Sequence, residues 1–343
     1  MAGPDRSATS RTDIAVDFRS VSKTFHQRQR SEKLSDIFRN LLRPEFRDVT
    51  ALRGIDLQIG RGEIVAYAGP NGAGKSTTVK IASGMLSPDS GTVRVLGMDP
   101  VRQRETYMHR IGVVFGQRTE LWMDHTVAAS YEWKRVVWDI PQERFDRMIG
   151  FVREVLALGE FYNTLVRELS LGQRMRADLG MALLHEPEIL FLDEPSLGLD
   201  VLAKRSMLEF ITGLNRDRQV TVMVTSHDMN ELEQLAGRIV MIHRGEIAFD
   251  GDFARLRREF ADRRVLRIDT DRALAPDLPG ATLVSTVGFR HEYAFDAGET
   301  GIGDLLAAAA TQSKLLDVET HRAPIDDIIA DIYVRWQALG NRQ

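Results

Sequence analysis

A glycine-rich stretch, GPNGAGKS at 69–76, constrains the fold of this chain more than any other feature of its sequence. It follows an apolar run and opens a helix-like segment, a context that predicts a phosphate-binding loop rather than a plain glycine-rich turn. Its glycines let the backbone turn its amides inward, and those amides with the helix dipole form a nest for phosphate oxygens. We expect Lys75 to reach the β and γ phosphates of a nucleotide and the Ser76 hydroxyl to ligate Mg²⁺. The residues predicted to contact the nucleotide here are Gly69, Pro70, Asn71, Gly72, Ala73, Gly74, Lys75, Ser76 and Thr77.

The hydrophobic pattern around this loop predicts an α/β fold. Helical stretches separate four short apolar runs, which is typical of a parallel sheet with crossover helices. The runs are EIVAYAG (63–69), EILFLD (188–193), VTVMVTS (220–226) and RIVMIHRG (238–245). A smaller antiparallel sheet is predicted from three alternating segments, DIAVDF (13–18), LRGIDLQI (52–59) and GTVRVLG (91–97). A mainly helical stretch, from about 120 to 169, is inserted between two of the core strands.

The length of the chain and a change of pattern near Arg264 predict two domains. With 343 residues, the chain exceeds what one hydrophobic core usually serves. We place a disordered tail at 1–12, the nucleotide-binding domain at 13–262 with a helical subdomain at 118–185, and a small α/β accessory domain at 265–343. The last helix of that accessory domain has an apolar face formed by Ile325, Ile328, Ile329, Ile332 and Trp336.

Composition narrows the classes of function. A net charge of −4 argues against non-specific nucleic-acid binding, which needs a basic surface. The absence of cysteine excludes disulfides and thiolate metal sites. The sequence has no run of about 18 apolar residues, and its amino terminus is polar, without a signal-like stretch. If the protein acts at a membrane, we expect another chain to supply the membrane span.

A second motif, LFLDE at 190–194, lies at the end of a predicted core strand. Four apolar residues place the strand in the core, so Asp193 emerges at its carboxyl end, where open α/β sheets bind ligands. We expect Asp193 to hold Mg²⁺ through water and Glu194 to polarise the attacking water, although a solvated acidic pair is the alternative. None of the asparagines is followed by lysine, so the N-K-x-D loop typical of guanine specificity is absent.

A third motif, LSLGQ at 169–173, begins a helix, and Ser170 and Gln173 have the spacing of a capping box. Because it lies one helix upstream of LFLDEPSLGLD, the chain resembles the ATP-binding subunit of ABC transporters over about residues 14–260. In that family two subunits pack head to tail. The resemblance implies that Ser170, Gly172 and Gln173 face the γ-phosphate held by the other subunit. Leu171 replaces a glycine of the common LSGGQ motif, and we expect it to be tolerated because the next backbone amide makes the contact.

Four further positions are assigned from the resemblance, one at a time. Gln117 in VVFGQR matches the Q-loop glutamine, which senses the γ-phosphate and Mg²⁺. His227 in VTSHD matches the switch histidine that contacts the γ-phosphate, and Asp200 in SLGLD matches the D-loop aspartate. Phe25 in VSKTF matches the aromatic residue that stacks on adenine, and a core phenylalanine is the alternative. The predicted catalytic set is therefore Glu194, His227 and Gln117.

The stretch between the first two antiparallel strands is longer than the simple hairpin common there in the family. We predict an amphipathic insertion at 27–48, which could dock on a permease or a membrane surface, or pack on its own domain. Its helical stripe consists of Leu34, Ile37, Phe38, Leu41 and Leu42. Similar insertions occur in family members that resemble exporters of drugs, lipids or polysaccharide.

The resemblance implies an ATP-hydrolysing subunit that uses ATP and Mg²⁺, closes as a homodimer, and drives a separately encoded integral membrane permease from the cytoplasmic face of the cell membrane. The insertion and the short carboxyl-terminal domain favour export. Two other classes remain open. A soluble ABC ATPase acting on ribosomes or DNA usually has two cassettes, a long coiled coil or zinc-binding cysteines, and none is seen here. A regulatory module without hydrolysis is disfavoured by Glu194 and His227.

Overall fold

Thirteen β-strands and ten α-helices form the described part of the chain, which in this computed structural model comprises residues 13–28, 46–116, 118–260, 263–322 and 325–340. The strands are β1 (Ile14–Arg28), β2 (Phe46–Gly60), β3 (Ile64–Ala68), β4 (Ser90–Val95), β5 (Ile111–Phe115), β6 (Ile189–Asp193), β7 (Thr221–Thr225), β8 (Arg238–His243), β9 (Glu246–Gly251), β10 (Arg263–Thr270), β11 (Ala281–Val287), β12 (Arg290–Asp296) and β13 (Leu315–Arg322). The helices are α1 (Lys75–Ala82), α2 (Arg104–Met108), α3 (Val127–Val137), α4 (Gln142–Val155), α5 (Leu171–Leu183), α6 (Val201–Arg218), α7 (Met229–Leu235), α8 (Phe253–Phe260), α9 (Ile302–Gln312) and α10 (Ile325–Gly340).

The core of the first part of the chain is a six-stranded sheet with the order β5-β6-β7-β3-β8-β9. The four predicted apolar runs are its strands β3, β6, β7 and β8, and they pair in parallel, which confirms the predicted α/β class. Their side chains are buried because helices cover the sheet and leave no face for polar residues. The sequence analysis did not include β5 or β9, which complete the two edges of this sheet.

A second, antiparallel sheet has the order β2-β1-β4 and confirms the three alternating segments predicted from the sequence. Strands β1 and β2 are each 15 residues long, because their pairing continues to His26 with Asp48 and to Arg28 with Phe46. The two ends of the predicted insertion are therefore paired strand rather than helix. Its apolar stripe, from Leu34 to Leu42, lies outside the described residues.

Helices α3 and α4 lie between β5 and β6 in the sequence, as the helical pattern predicted. The hydroxyl of the buried Tyr131 on α3 donates to the carbonyl oxygen of Ala177 on α5 at 2.7 Å. A Cβ atom at Gly180 would lie 2.2 Å from that hydroxyl oxygen, so a glycine at this position lets the two helices approach. In the described residues no helix is long and apolar enough to cross a bilayer.

The second compact unit consists of residues 228–230 and the described residues from Gly251 onward, and the first consists of the described residues up to His227 with 231–250. This boundary falls before α8, about a dozen residues earlier than the predicted one. The second unit contains an antiparallel sheet with the order β11-β12-β10-β13, and helix α9 contributes Leu305 and Ala309 to its core. The predicted last helix is α10, and the four isoleucines of its apolar face are buried, while Trp336 is partly exposed.

Candidate functional site

The predicted phosphate-binding loop joins β3 to α1. Gly74, at the N-cap of α1, has a φ of 116° and Gly72 has a φ of 77°, which are conformations that residues with a side chain rarely adopt. A Cβ atom at Gly69 would lie 2.3 Å from the carbonyl oxygen of Ile242, so the loop approaches β8 more closely than a side chain would allow. The first turn of a helix has amides without partners inside the helix. Bare backbone and a helix N-terminus together form a cradle that fits phosphate oxygens.

Lys75 lies across this loop. Its Nζ donates to the carbonyl oxygens of Gly69 at 2.7 Å and Pro70 at 3.3 Å, and its side chain is buried. Burial lowers the pKa of Lys75, and the negative charges of Glu194 and Asp193 oppose that shift. The ammonium is thus close enough to both carboxylates to be affected by their charge. It can exchange its carbonyl partners for phosphate oxygens, which are stronger acceptors.

Asp193 is the last residue of β6, and the parallel register places it beside Thr225, the last residue of β7. The Thr225 hydroxyl donates to Oδ1 of Asp193 at 2.7 Å. The same hydroxyl oxygen accepts a hydrogen bond from the amide of Glu194 at 3.1 Å. One buried threonine therefore fixes both acidic residues at the carboxyl end of the sheet.

Glu194 has a left-handed backbone with a φ of 56°. A residue other than glycine in this region costs about 1–3 kcal/mol, and such strain is often found at functional sites. Its carboxylate lies 2.8 Å from Nε2 of His227, the residue two positions after the end of β7. The His227 side chain is 47% exposed and that of Glu194 is 23% exposed, so both groups can meet a ligand from solvent.

The end of β5 approaches the same two acidic residues. The amide of Gly116 donates to the carbonyl oxygen of Asp193 at 2.8 Å. A Cβ atom at Gly116 would lie 2.2 Å from the carbonyl oxygen of Glu194, so only a glycine permits this approach. Gln117, the predicted γ-phosphate sensor, follows directly and lies outside the described residues.

A cavity of about 440 Å³ opens beside these groups. We call it the phosphate-side cavity. The residues that line it include Ser76, Lys80, Met85, Thr119, Glu120, Asp178, Asp193 and Glu194. A hydroxyl at the start of α1 and a carboxylate at the end of β6 therefore face one space. Oxygen ligands of this kind suit Mg²⁺, which takes few protein ligands and completes its octahedron with water and phosphate.

Another cavity, of about 420 Å³, lies at the opposite, amino-terminal ends of β6 and β7. Two of its acidic residues already have arginine partners: Glu186 with Arg144, and Glu188 with Arg61 and Arg110. Open α/β sheets bind their ligands at the carboxyl ends of the strands. The phosphate-side cavity is therefore the candidate functional site.

The LSLGQ motif forms the predicted capping box at the start of α5. The Ser170 hydroxyl accepts from the amide of Gln173 at 3.2 Å, and the Gln173 side chain accepts from the amide of Ser170 at 2.9 Å. Asp200 caps α6 in the same way, accepting from the amide of Ala203 at 2.8 Å. Neither Ser170, Gln173 nor Asp200 is among the described residues that line the phosphate-side cavity.

Leu171 and Gly172 pack against the segment that leads into α6. A Cβ atom at Gly198 would lie 2.3 Å from Cδ2 of Leu171, so this leucine covers the bare backbone there. A Cβ atom at Gly172 would lie 3.7 Å from Leu199, which is ordinary contact. The LSLGQ motif, which matches the signature motif of the family, and the predicted D-loop thus pack against each other within one chain.

Phe25 lies near the end of β1, opposite Val49 of β2, and its side chain is partly buried. Nζ of Lys23 lies 5.7 Å from the centre of its ring. A partly exposed ring beside a cation is compatible with stacking on a base and with packing on the sheet.

Sequence reasoning missed Gly116, Thr225, Asp178 and Glu231. The buried carboxylate of Glu231 accepts from the hydroxyls of Ser196 and Ser226, and it pairs with Nζ of Lys204 at 2.7 Å. It therefore joins the loop that follows Glu194 to the loop that precedes His227. A carboxylate four residues after a predicted switch histidine was the only available signal.

Three comparisons place the chain among known proteins. The family model for ABC transporters matches residues 52–197. The ABC transporter ATP-binding protein NatA of Bacillus subtilis (strain 168) is 33% identical over 203 residues, which cover 59% of this chain and 82% of NatA. The dimeric post-hydrolysis state of the ATP-binding cassette MJ0796, bound to ADP and Pi, has a TM-score of 0.58 and 25% identity, and the match covers 69% of this chain and 98% of that one. The chain belongs to the family of ABC transporter ATP-binding proteins.

Other relatives are longer than this chain. The probable multidrug ABC transporter ATP-binding protein YbhF of Escherichia coli (strain K12) is 36% identical over 210 residues, which cover 61% of this chain and 36% of YbhF. The chain spans 32% and 26% of the length of two further relatives from Dictyostelium discoideum, ABC transporter A family members 7 and 1. The family model matches within the first compact unit, and cassettes of this family bind and hydrolyse ATP.

Proposed function

We propose that this chain is the ATP-hydrolysing subunit of an ABC exporter and acts with a separately encoded membrane permease. The observation that carries the hydrolytic role is the contact between Glu194 and His227, at 2.8 Å, beside the cavity that Ser76 and Asp193 line. A module that only bound nucleotide would not need a carboxylate in a strained conformation at this point.

Hydrolysis in this proposal depends on positioning and charge rather than on covalent chemistry. The backbone of 69–77 and the Lys75 ammonium bind the phosphates. Ser76 and Asp193, with Gln117, would hold Mg²⁺, which when bound would supply positive charge beside the phosphate oxygens. Glu194 accepts a proton from the attacking water or orients it, and His227 holds the Glu194 carboxylate and contacts the γ-phosphate.

Two subunits complete the site. Ser170 and Gly172 begin a helix whose N-terminus favours anions, yet they do not line the cavity formed by their own chain's described residues. We assign them, with Gln173 and Asp200, to the nucleotide of a second copy. This arrangement is supported by the dimeric MJ0796 cassette, and ATP would close the dimer while hydrolysis reopens it.

The permease contact is assigned to an exposed patch of Trp122, Met123 and Trp133. The side chains are 41%, 42% and 47% exposed, and the two tryptophan rings have their centres 4.5 Å apart. Clustered exposed aromatics mark interaction surfaces. The patch comes directly after residues 118–120, which line the phosphate-side cavity, so a partner bound here would respond to the nucleotide.

The direction of transport and the class of cargo are proposed from the name of a relative and from the predicted insertion. The printed name of YbhF describes a probable multidrug transporter, and the predicted insertion at 27–48 favours exporters of drugs, lipids or polysaccharide. With a membrane permease as partner, the subunit would work peripherally at the cytoplasmic face of the cell membrane.

The test of this function is Glu194→Gln. The variant keeps the shape of the side chain and removes its charge, so ATP should still bind while hydrolysis falls by about 10²–10⁴-fold. Because reopening requires hydrolysis, the variant should accumulate as an ATP-bound dimer on size exclusion. Glu209→Gln, an exposed carboxylate on α6, is the matched control and should hydrolyse ATP like wild type. If Glu194→Gln hydrolysed ATP at a rate within a few-fold of wild type, Glu194 would not be the catalytic carboxylate.

A further inference from the structure

Asp178 lies on α5, two turns after Ser170, and its carboxylate is buried with 8% of the residue exposed. Oδ1 accepts a hydrogen bond from the Thr119 hydroxyl at 2.7 Å and another from the amide of Glu120 at 3.2 Å. The Thr119 hydroxyl in turn accepts from the amide of Leu121 at 3.0 Å. The helix that carries the LSLGQ motif is therefore tied to the segment 118–120 through one acidic side chain.

The segment 118–120 is part of the wall of the phosphate-side cavity, with Ser76, Asp193 and Glu194. It begins two residues after Gly116, whose amide is bonded to Asp193. Asp178 lines the same cavity. The hydrogen bonds of Asp178 therefore connect α5 directly to a segment of the cavity wall.

Burial of the Asp178 carboxylate costs desolvation free energy, which is not expected of a residue that only fills space. Burial raises the pKa of Asp178 to about 6, although its hydrogen bonds to Thr119 and Glu120 oppose that shift. An apolar side chain would fill this place between α5 and the segment 118–120 without a desolvation penalty. The hydrogen-bonded link, rather than the packing, is what the carboxylate supplies.

We infer that Asp178 is a positioning residue that aligns α5 and its Ser170 with the occupied pocket of the same chain, so that one nucleotide prepares the signature motif offered to the other. This inference rests on the composite dimer proposed above. The bond to Thr119 is the element that transmits the alignment, and loss of the bond leaves nucleotide binding intact while the partner's hydrolysis slows.

The first experiment separates the link from folding. Asp178→Ala and Thr119→Val should each lower kcat for ATP hydrolysis by about ten- to hundredfold, because small misplacements of a catalytic group have effects of this size. The ATP dissociation constant of the isolated subunit should stay within about twofold. Asp178→Asn and Thr119→Ser retain the acceptor and the hydroxyl, and they should restore most of kcat. A lower thermal midpoint with unchanged kcat would show Asp178 to be structural and overturn the inference.

The second experiment uses mixed dimers in which a Glu194→Gln chain, which binds ATP without hydrolysing it, is present in large excess. When the Glu194→Gln chain also carries Asp178→Ala, hydrolysis by a wild-type partner should fall, since that partner depends on the altered signature helix. When Asp178→Ala lies instead on the hydrolysing chain, hydrolysis should match that of wild type with Glu194→Gln alone. The reverse pattern would make Asp178 a local support of its own pocket and overturn the inference. If the wild-type protein itself did not hydrolyse ATP, that result would instead contradict the proposed function.

Discussion

At the scale of single residues, the site depends on Thr225, which bonds to both acidic residues at the end of β6. Its hydroxyl donates to Asp193 and accepts from the Glu194 amide, and the threonine is fully buried. Because Thr225 is buried, a water molecule could take the place of its hydroxyl only if the surrounding packing left a gap. The geometry of the Glu194 and His227 pair therefore depends on a residue that touches neither phosphate nor metal in the proposed mechanism.

Thr225→Val should lower kcat by about tenfold and reduce the free energy of unfolding by about 1–3 kcal/mol, because the Asp193 carboxylate loses its hydroxyl donor, while the Glu194 amide keeps only the Thr225 carbonyl oxygen. Both effects would be measured on the isolated subunit, by ATPase assay and by denaturant unfolding. Thr225→Ser is the matched control, because it keeps the hydroxyl and loses only a methyl group. Equal kcat values for the valine and serine variants would show that this hydroxyl does not position the site.

The apolar runs were sufficient to place Asp193, Glu194 and His227 at the carboxyl ends of β6 and β7, and the roles proposed for them come from the resemblance and the motif. The roles of Thr225 and Asp178 could not be predicted in this way. Thr225 matters because β6 and β7 pair with Asp193 beside it, and a pairing register is a property of two distant segments. Asp178 looks like one polar residue in an otherwise ordinary helix until the fold brings Thr119 to it.

At the scale of elements, the strands with continuous apolar sequence were predictable and the two edge strands of the core sheet were not. Strand β5 has the sequence IGVVF, in which a glycine weakens the strand pattern. Strand β9, EIAFDG, has only two buried residues, so little hydrophobic signal marks it. Both strands lie at the edges of the core sheet, where pairing with a single neighbour overrides a weak local preference.

His185, just after α5, should make the fold sensitive to acid. It is buried, its Nε2 bonds to the Ile111 carbonyl oxygen at 2.7 Å, and its ring lies 4.7 Å from that of Trp138. Burial lowers the pKa of His185 to about 3, and the positive charge of Lys134 contributes. The unfolded chain takes up a proton near pH 6.5 and the folded chain does not. The stability that this histidine confers is therefore complete above about pH 6.5 and is lost as the pH falls toward 3.

Denaturant unfolding of wild type and His185→Gln at several pH values would test this. Between pH 7 and pH 5 the wild type should lose about 2 kcal/mol more than the variant, although the variant is less stable at pH 8. Asp178 has a raised pKa and contributes the opposite slope, but both proteins contain it, so the difference isolates His185. Parallel curves for the two proteins would show that the histidine does not titrate on unfolding.

At the scale of the whole molecule, the chain contains one phosphate-binding loop and one LSLGQ motif, and in the part of the chain that the structure describes the two do not line one cavity. A dimer of two copies would contain two complete sites, each built from both chains. This arrangement makes the effects of two different lesions depend on which chain carries them.

A mixture of Ser170→Arg and Lys75→Ala subunits should recover part of the ATPase activity that each variant lacks alone. In a mixed dimer one site carries both lesions and the other carries neither, so up to about half of the wild-type rate per mixed dimer is expected if the sites are independent. The control is a 1:1 mixture of the Ser170→Arg, Lys75→Ala double variant with Glu209→Gln. Its mixed dimers have no intact site, but its Glu209→Gln dimers have two, so the average number of intact sites over a random mixture is the same. Absence of recovery, with mixed dimers shown to form, would contradict the head-to-tail arrangement.

The contact between Leu171 and Gly198 couples the residues that evolution can accept in two motifs that lie apart in the sequence. Leu171 occupies the volume that a side chain at 198 would need, and the left-handed φ of 74° at Gly198 favours glycine as well. A lineage that acquired the leucine first would lose the freedom to vary position 198, while a lineage with glycine at 171 would retain more of it. The two positions should therefore covary among relatives. Relatives with leucine at position 171 should retain glycine at position 198.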